Sequence, residues 1–493
     1  MITAKAFAGK HYAVYGLARS GLATVEALLA SGARVTAWDA KEEARDRLRS
    51  SLAEGRGGGP SNEDSMVEGL APNPSTTAFG SGPPPHASHR EELQVANLDE
   101  ADLTQFDSLV VTPGLPLNRH PIAQRARDSG VEIIGDIELF ARSRPELPSH
   151  KVVGITGTNG KSTTTALVHH ILETAGVPTT MGGNIGLPIL AQDPLPEGGV
   201  YVLELSSYQI DLMHSLKCEI SVLLNITPDH LDRYESFGAY AASKAWLITL
   251  QSADDLAVVA ADDSLMAAIA DDLKFYAEKV LSLPGADDWD AGMLQEVVFL
   301  SAARVEIVHA SDAKGQESWP ALQGPHNAQN AAAAVAVCKA LGLRTEQIDH
   351  GLRTYPGLPH RMERIREKDG VTFVNDSKAT NPTATAPALA AFDRIRWICG
   401  GQPKTDNLDE CAPFFGHVRK AYTIGEAGEL FASLLSPHMD VAECETLERA
   451  VGEAAAEAES GDTVLLSPAC ASFDQFRDFE DRGDRFRRLV EGL

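Results

Sequence analysis

A chain of 493 residues has room for about three domains, each with its own core. Its 43% hydrophobic and 23% charged residues exclude a collagenous, a disulfide-scaffold or a wholly disordered protein. The 43 Lys and Arg against 69 Asp and Glu leave a formal net charge of −26, which repels nucleic-acid backbones and anionic lipid, so an anionic substrate must meet a local basic cluster. The six cysteines form no CxxC pair, which fits reduced thiols in a cytoplasmic compartment. No apolar run reaches membrane-spanning length, and the amino-terminal MITAKAFAGKHYAVYG lacks the apolar core of a secretion signal, so neither a membrane segment nor an exported chain is expected.

In chain order, HYAVYG, a helical stretch over Leu22 to Gly32 and ARVTAWD read as a strand, a helix and a second strand ending in Asp39. Residues 54–90, rich in Gly, Pro, Ser and Asn, are expected to form a mobile surface insertion. DSLVVTPG, a helix near Ile122 to Ser129 and VEIIGD follow, and SRPELPSH supplies a polar linker with a boundary near 148. KVVGITG opens a second α/β unit with a helix over Ser162 to Ala175, strands YVLELS and EISVLLNI, and a helix around Tyr240 to Thr249. Its near-continuous apolar strands predict a parallel sheet covered by helices on both faces. After GPHNAQN, the run AAAAVAVCKALGL has the strongest helix propensity in the chain, and YPGLPHR breaks the pattern near 357. A third α/β unit passes through VTFVND, IRWICGG, KAYTIG and DTVLLSPA to a charged terminal helix. The expected domains are 1–148, 149–357 and 358–493.

The most informative string runs from Gly154 through Gly157-Thr158-Asn159-Gly160 to Lys161-Ser162-Thr163, between an apolar strand and a helix. Backbone N–H groups of a glycine loop at a helix N-terminus make an anion cradle, Lys161 adds positive charge and the Ser162 hydroxyl suits Mg²⁺, so ATP phosphates are the natural occupant. Five residues separate Gly154 from Gly160, where the strict Walker A pattern has four, and Gly157 lies between them. Glu204 closes YVLEL and Asp229-His230 follow VLLNIT, at carboxyl ends of strands where α/β sheets bind ligands. A carboxylate and an imidazole there are either Mg²⁺ ligands, imidazole being an uncommon one, or solvated surface groups. Lys244 in AYAASKAW reads by pattern as a surface lysine. Asn327 and Asn330, at i and i+3 where the alanine-rich helix begins, are helix caps or nucleotide contacts. Arg361, Lys378 and Lys404 each follow a break or a strand end, so their charges either converge on an anionic ligand or stay solvated. Ser472 heads a Ser-x-x-Gln capping box with Gln475 or touches ligand, and Phe479 reads as core. Gly16-Leu-Ala-Arg-Ser-Gly21 is not GxGxxG, although Asp39 stands where dinucleotide folds keep a ribose-binding acid, and Gly114 in VVTPGLP either completes a pocket or makes a Pro-Gly turn.

Taken in order, GITGTNGKST, ELSSYQ, NITPDHLDRY, YAASK, GPHNAQN, GLPHR, NDSKATNP, GGQPK and LSPACASFDQF resemble the motifs of the Mur ligases of bacterial cell-wall synthesis. The likeness covers all three units except the insertion. The glycine loop alone would also fit the folylpolyglutamate synthases of the wider superfamily, whereas NDSKATNP and SPACAS look like the glutamate-adding branch and the DNPR signature of the diaminopimelate-adding or lysine-adding relatives is absent. The resemblance implies a three-domain α/β fold: a Rossmann-like UDP-sugar domain, a central P-loop-type ATPase domain with a mostly parallel sheet, and a Rossmann-like amino-acid domain. It implies an ATP-dependent ligase that adds D-glutamate to UDP-N-acetylmuramoyl-L-alanine through an acyl phosphate, the alternative being another Mur ligase or a folylpolyglutamate synthase-like ligase.

Carried over residue by residue, the resemblance gives ATP phosphate to Gly157, Thr158, Asn159, Gly160, Lys161, Ser162 and Thr163, and the rest of the nucleotide to Asn327, Asn330, Arg361 and Asp376. Mg²⁺, two ions in the family, would fall to Ser162, Glu204, His230 and a carbamylated Lys244, with Lys161, His230 and Lys244 catalytic and His230 also touching substrate. Carbamylation would turn a cation into the anionic oxygen donor that Mg²⁺ prefers. Lys378, Thr380, Lys404, Ser472 and Phe479 would form the D-glutamate pocket, and Arg19, Ser20, Asp39, Gly114 and Asn184 would hold the UDP-sugar. The chain departs from the family pattern at Ala40-Lys41 and at Gln402. A cytoplasmic monomer without nucleic-acid or membrane partners is the expected form.

Overall fold

The computed structural model describes residues 1–53, 92–229, 233–281 and 303–493, so the low-complexity stretch 54–90 falls outside the described residues. Near the amino terminus β1 (His11–Tyr15), β2 (Arg34–Trp38), β3 (Leu93–Val95), β4 (Ser108–Val111) and β5 (Glu132–Ile134) form a sheet in the order β3-β2-β1-β4-β5, with every pairing parallel. The strand order reverses between β1 and β4, and in open α/β sheets that crevice is where ligands bind. The helix Arg19–Ala30 starts hard against the end of β1: a Cβ on Gly21 would lie 1.9 Å from the Gly16 carbonyl oxygen, an approach that needs glycine.

A second sheet contains β6 (His150–Thr156), β7 (Thr179–Gly183), β8 (Gly199–Glu204), β9 (Ile220–Leu223), β10 (Leu256–Ala260) and β11 (Arg304–Val308). Its order is β11-β10-β9-β6-β8-β7, again all parallel. Strands β8, β9 and β10 are buried along their whole length, which accounts for their unbroken apolar runs. Because β6 lies between β8 and β9, the loops that leave these neighbouring strands open side by side at one end of the sheet. The first two sheets belong to one compact unit that ends at Arg353. One apolar cluster runs through both, with Leu28, Val35, Ile137 and Phe140 from the first and Val152, Tyr201 and Leu203 from the second.

The other compact unit comprises the carboxyl-terminal chain from Thr354 together with Gln316–Gly324. Strands β12 (Glu363–Lys368), β13 (Val371–Asn375), β14 (Ile395–Gly400), β15 (Val418–Ile424), β16 (Asp440–Glu445) and β17 (Thr463–Leu466) form a sheet in the order β12-β13-β17-β14-β15-β16. It is parallel except for the β12/β13 hairpin, and the charged β12, ERIREK, protects an edge. The fold class expected from the sequence is the one observed.

The predicted helices fall within a few residues at Arg19–Ala30, Pro121–Asp128, Lys161–Thr174 and Phe237–Thr249. The alanine-rich helix is longer than expected, Pro325–Ala340, because proline suits the first helical position, where its missing N–H has no intrahelical partner to lose. Among the described residues no helix is long and apolar enough to cross a membrane.

Candidate active site

The glycine loop joins β6 to the helix Lys161–Thr174, with Gly160 at the N-cap in the left-handed conformation, φ 85°. Glycine at the N-cap supplies no side-chain cap, and an uncapped helix N-terminus is a favourable place for an anionic ligand. Ser162 and Thr163 are buried in its first turn. The Lys161 ammonium folds back and donates to the carbonyl oxygens of Gly157 (2.9 Å) and Thr158 (2.8 Å), so its charge stays over the loop.

The loop is fixed from the β9 side. Thr158 N–H donates to the Asn225 carbonyl at 2.8 Å, Asn159 N–H donates to Asn225 Oδ1 at 2.8 Å, and Asn225 Nδ2 returns a bond to the Asn159 carbonyl at 3.1 Å. Asn225 Nδ2 also reaches Gln329 Oε1 at 3.3 Å, and Gln329 Nε2 donates to Asp262 Oδ2 at 2.7 Å. Sequence reasoning missed Asn225, Gln329 and Asp262. Asparagine in the quoted motif NITPDH was the available signal.

Asn327 and Asn330 are not helix caps, because the helix already begins at Pro325. Both are buried, Asn330 Nδ2 donates to Asn327 Oδ1 at 3.2 Å, and Asn330 packs so closely on the loop that a Cβ on Gly160 would meet its Oδ1 at 2.2 Å. The structure therefore brings these two predicted nucleotide residues to the loop.

Lys244 departs from the surface reading. It is 2% exposed, and its ammonium donates to the same Gly157 carbonyl at 2.9 Å and lies 4.7 Å from the Tyr240 ring centroid. Burial, followed by repulsion from Lys161, pushes its pKa down to about 7, against the opposing pull of Asp229, Asp211 and Glu204. Glu204, at the end of β8, is buried; its Oε1 accepts from Asn184 Nδ2 at 2.9 Å, whereas Oε2 is buried without a hydrogen-bond partner. An orphaned carboxylate oxygen at a strand end next to the strand that leads into the phosphate-type loop fits a divalent cation, which takes hard oxygen donors and would complete its shell with phosphate and water. Ser162, Glu204 and, if carbamylated, Lys244 are the described candidates to hold Mg²⁺. His230, expected to join them, lies outside the described residues.

The residues expected to hold a UDP-sugar lie on the segments that follow β1, β2, β4 and β7. Arg19 and Ser20 open the helix after β1, and Arg19 Nη2 donates to the Gly186 carbonyl at 3.2 Å, in the loop that also carries Asn184. Asp39 is already engaged: its oxygens accept from Leu17 N–H at 2.7 Å and Lys41 N–H at 2.9 Å, so it shapes the turns after β1 and β2. The Gly114 loop is held by Arg233, which donates to the Leu115 carbonyl at 2.9 Å and packs 4.1 Å from the Tyr208 ring centroid. Arg233 was not singled out from the sequence, although it stands in the quoted motif.

In the carboxyl-terminal unit, Asp376 ends the β13 connection, buried, accepting from Ser467 Oγ at 2.7 Å and Met362 N–H at 3.1 Å. Burial pushes its carboxyl up to about 7, moderated by Ser467 and by the nearby Arg361 charge. Arg361 Nε is itself buried without a partner. Lys404 Nζ donates to Thr380 Oγ1 at 3.1 Å, and Lys378 Nζ lies 5.4 Å from the Phe479 ring centroid. Phe479 is half-buried at the start of the last helix and not a core residue. Ser472 does not head a capping box: it is buried in a turn whose carbonyl accepts from Gln475 and Phe476 N–H, and the helix begins later, at Phe479, capped by Asp478. Lys404 thus pairs with Thr380, Lys378 faces Phe479, and Ser472 lies on the loop that follows β17.

Against known families, the Mur ligase middle domain matches residues 155–338 and the Mur ligase glutamate ligase domain matches residues 360–470. The UDP-N-acetylmuramoylalanine–D-glutamate ligase of Novosphingobium aromaticivorans is 53% identical over 493 residues, covering 100% of this chain and 97% of the relative. That of Sphingopyxis alaskensis is 52% identical, covering 100% of both. Among solved structures, the UDP-N-acetylmuramate–alanine ligase of Thermotoga maritima superposes with a TM-score of 0.51 at 16% identity over 98% of this chain and 99% of that one, a likeness of fold. Identity at this level from end to end, on a glycine loop and strand ends built as described, means that the chain belongs to the Mur ligase family, on the branch of the UDP-N-acetylmuramoylalanine–D-glutamate ligases.

Proposed function

We propose that the chain uses ATP to join the amine of D-glutamate to the terminal carboxylate of UDP-N-acetylmuramoyl-L-alanine, a step of peptidoglycan precursor synthesis. The observation that carries this reading is the glycine loop, with the Lys161 and Lys244 ammonium groups on one carbonyl and a partnerless Glu204 oxygen close by. Such a site collects phosphate oxygens and a divalent cation.

The division of labour follows the three expected segments: UDP-sugar on 1–148, ATP on 149–357, D-glutamate on 358–493. A carboxylate is a poor electrophile, so its oxygen first takes the γ-phosphoryl group and ADP leaves; the amine then attacks the acyl carbon, the phosphate leaves and the amine proton is lost. Lys161 and the first-turn N–H groups would balance charge on the transferring phosphoryl group. Mg²⁺, when bound by Ser162 and Glu204, would neutralise phosphate charge and orient the oxygens. Asn327 and Asn330, on the helix packed against the loop, would contact the rest of the nucleotide, and the family resemblance also implies nucleotide roles for Arg361 and Asp376. Lys378, Thr380, Lys404, Ser472 and Phe479 would receive D-glutamate, where the basic groups answer the overall −26. The proposal includes carbamylation of Lys244, supported by its burial and by an amine held near neutrality. It places the chain in the cytoplasm as a monomer, without nucleic-acid or membrane partners.

Phosphate release from ATP, measured with UDP-N-acetylmuramoyl-L-alanine and each of D-glutamate, L-glutamate, L-alanine and diaminopimelate, tests the reading. Turnover with D-glutamate supports it, and turnover with another amino acid or with a folate acceptor overturns it. Lys161→Ala should abolish turnover and leave UDP-sugar binding intact.

A further inference from the structure

Arg482 is 1% exposed, and among the described residues no carboxylate forms an ion pair with it. A buried guanidinium without a counter-charge is unfavourable unless its N–H groups are taken up, and apolar side chains of similar volume would cover the same space at lower cost. Here four hydrogen bonds take them up, and they go to two separate loops. Nε donates to Ser377 Oγ at 3.0 Å and Nη2 to the Ser377 carbonyl at 2.9 Å; Nη2 also reaches the Cys470 carbonyl at 3.0 Å, and Nη1 reaches that of Ala471 at 3.2 Å. Ser377 Oγ in turn donates to the Phe479 carbonyl at 2.8 Å, and Ala471 exchanges two 2.9 Å backbone bonds with Gln402.

We infer that Arg482 is the positioning residue of the acidic amino-acid pocket, fixing by its planar fork the spacing of the two loops that present Lys378 and Ser472. The proposal rests on the D-glutamate reading of that pocket. Every residue of the set stands next to this network: Lys378 follows Ser377, Thr380 lies three positions beyond it, Ser472 follows Ala471, Lys404 lies two positions beyond Gln402, and Phe479 supplies the carbonyl bonded by Ser377. Arg482 touches no substrate in this scheme and acts through the loops.

The test is steady-state kinetics of Arg482→Lys, Arg482→Ala and Ser377→Ala in the full-length protein, with each of the three substrates varied in turn and folding followed by circular dichroism. Displacing reacting groups by about 1 Å costs on the order of a hundredfold in rate, so Arg482→Ala should lower kcat/KM for D-glutamate by roughly that factor and raise its KM, with KM for ATP and for UDP-N-acetylmuramoyl-L-alanine changed less than about twofold. Arg482→Lys keeps the charge without the fork and should fall between alanine and wild type, and added guanidinium ion should restore part of the loss in Arg482→Ala. If Arg482→Ala does not fold, Ser377→Ala, which removes one acceptor and the tie to Phe479, carries the test with a rise of about threefold to tenfold in the same KM. A fall in active enzyme with all three KM values unchanged, or an equal rise in all three, overturns the proposal. Wild type that turns over with a different amino acid refutes the D-glutamate reading instead, and Arg482 is then judged on KM for that amino acid.

Discussion

Replacing Gly160 by alanine perturbs the point where loop, helix and nucleotide-side asparagines meet. At φ 85° an alanine pays about 1–2 kcal/mol for the left-handed conformation. Its Cβ would also sit 2.2 Å from Asn330 Oδ1 and 3.3 Å from Leu224 Cδ1. Asn330 cannot swing into water, being 3% exposed on the helix Pro325–Ala340 and bonded to Asn327, so relief means a shifted amide and a weakened hydrogen bond. Overpacking of that kind costs about 1–3 kcal/mol, for a total of about 2–5 kcal/mol. The two contributions separate in a double-mutant cycle with Asn330→Ala, which removes the clashing oxygen and leaves φ unchanged. In that background Gly160→Ala should cost about 1–2 kcal/mol, giving a coupling of about 1–3 kcal/mol by urea unfolding of the four proteins. ATP affinity should drop with Gly160→Ala alone and recover little in the double variant, because the loop φ stays strained. Additive costs would show that Asn330 does not press on the loop and would undo its placement beside the nucleotide.

Lys244→Met should abolish turnover yet stabilise the fold. Native Lys244 loses its proton near pH 7 and the unfolded chain near 10.5, so wild-type stability rises across that window, and the advantage of the variant, at most roughly 5 kcal/mol, is largest below pH 7 and fades as pH rises. Urea midpoints at several pH values in CO₂-free buffer check this, and a pH-independent difference contradicts it. Asp376→Asn runs the other way: the native carboxyl keeps its proton to about pH 7, the unfolded one loses it near 3.8, and wild-type stability therefore falls as pH rises between them. The variant should gain on wild type across that range by at most roughly 4 kcal/mol. Glu204→Gln should raise the Mg²⁺ concentration needed for half-maximal rate about tenfold or more at unchanged melting temperature, and an unchanged Mg²⁺ requirement removes Glu204 from the cation site.

What the sequence disclosed of the fold was set by burial. Strands β6, β8 and β9 read plainly because helices cover them on both faces, leaving continuous apolar runs. Strand β7, TTMGG, and strand β12, ERIREK, went unread: both lie at sheet edges, where one side of the strand is spared a partner and little apolar patterning is required. The glycine loop was legible because its function is local, ten consecutive residues that set one turn and one helix end. The Asn225 clamp was not, since its meaning depends on Gln329 and Asp262, brought together from distant parts of the chain.

The two buried cations show that part of the missing information was present in the helical periodicity. On the helix Phe237–Thr249, Tyr240, Lys244 and Ile248 are spaced by four and are all buried, so Lys244 occupies the inward stripe. The surface expectation drawn from the pattern is overturned by that register. On Phe479–Glu491 the same spacing links Arg482, Phe486 and Val490, all buried, whereas Arg485, Arg487 and Arg488 fall off that stripe. A charged residue in register with an apolar stripe is either mis-patterned or held by groups that repeat nowhere in the local sequence. Here those groups are the Gly157 carbonyl for Lys244 and the Ser377, Cys470 and Ala471 acceptors for Arg482. The Gly157 acceptor lies on the loop proposed for the nucleotide, and the Arg482 acceptors lie on two loops proposed for the amino acid. On Phe479–Glu491 stripe register thus separates the buried Arg482 from Arg485, Arg487 and Arg488 before any contact is known.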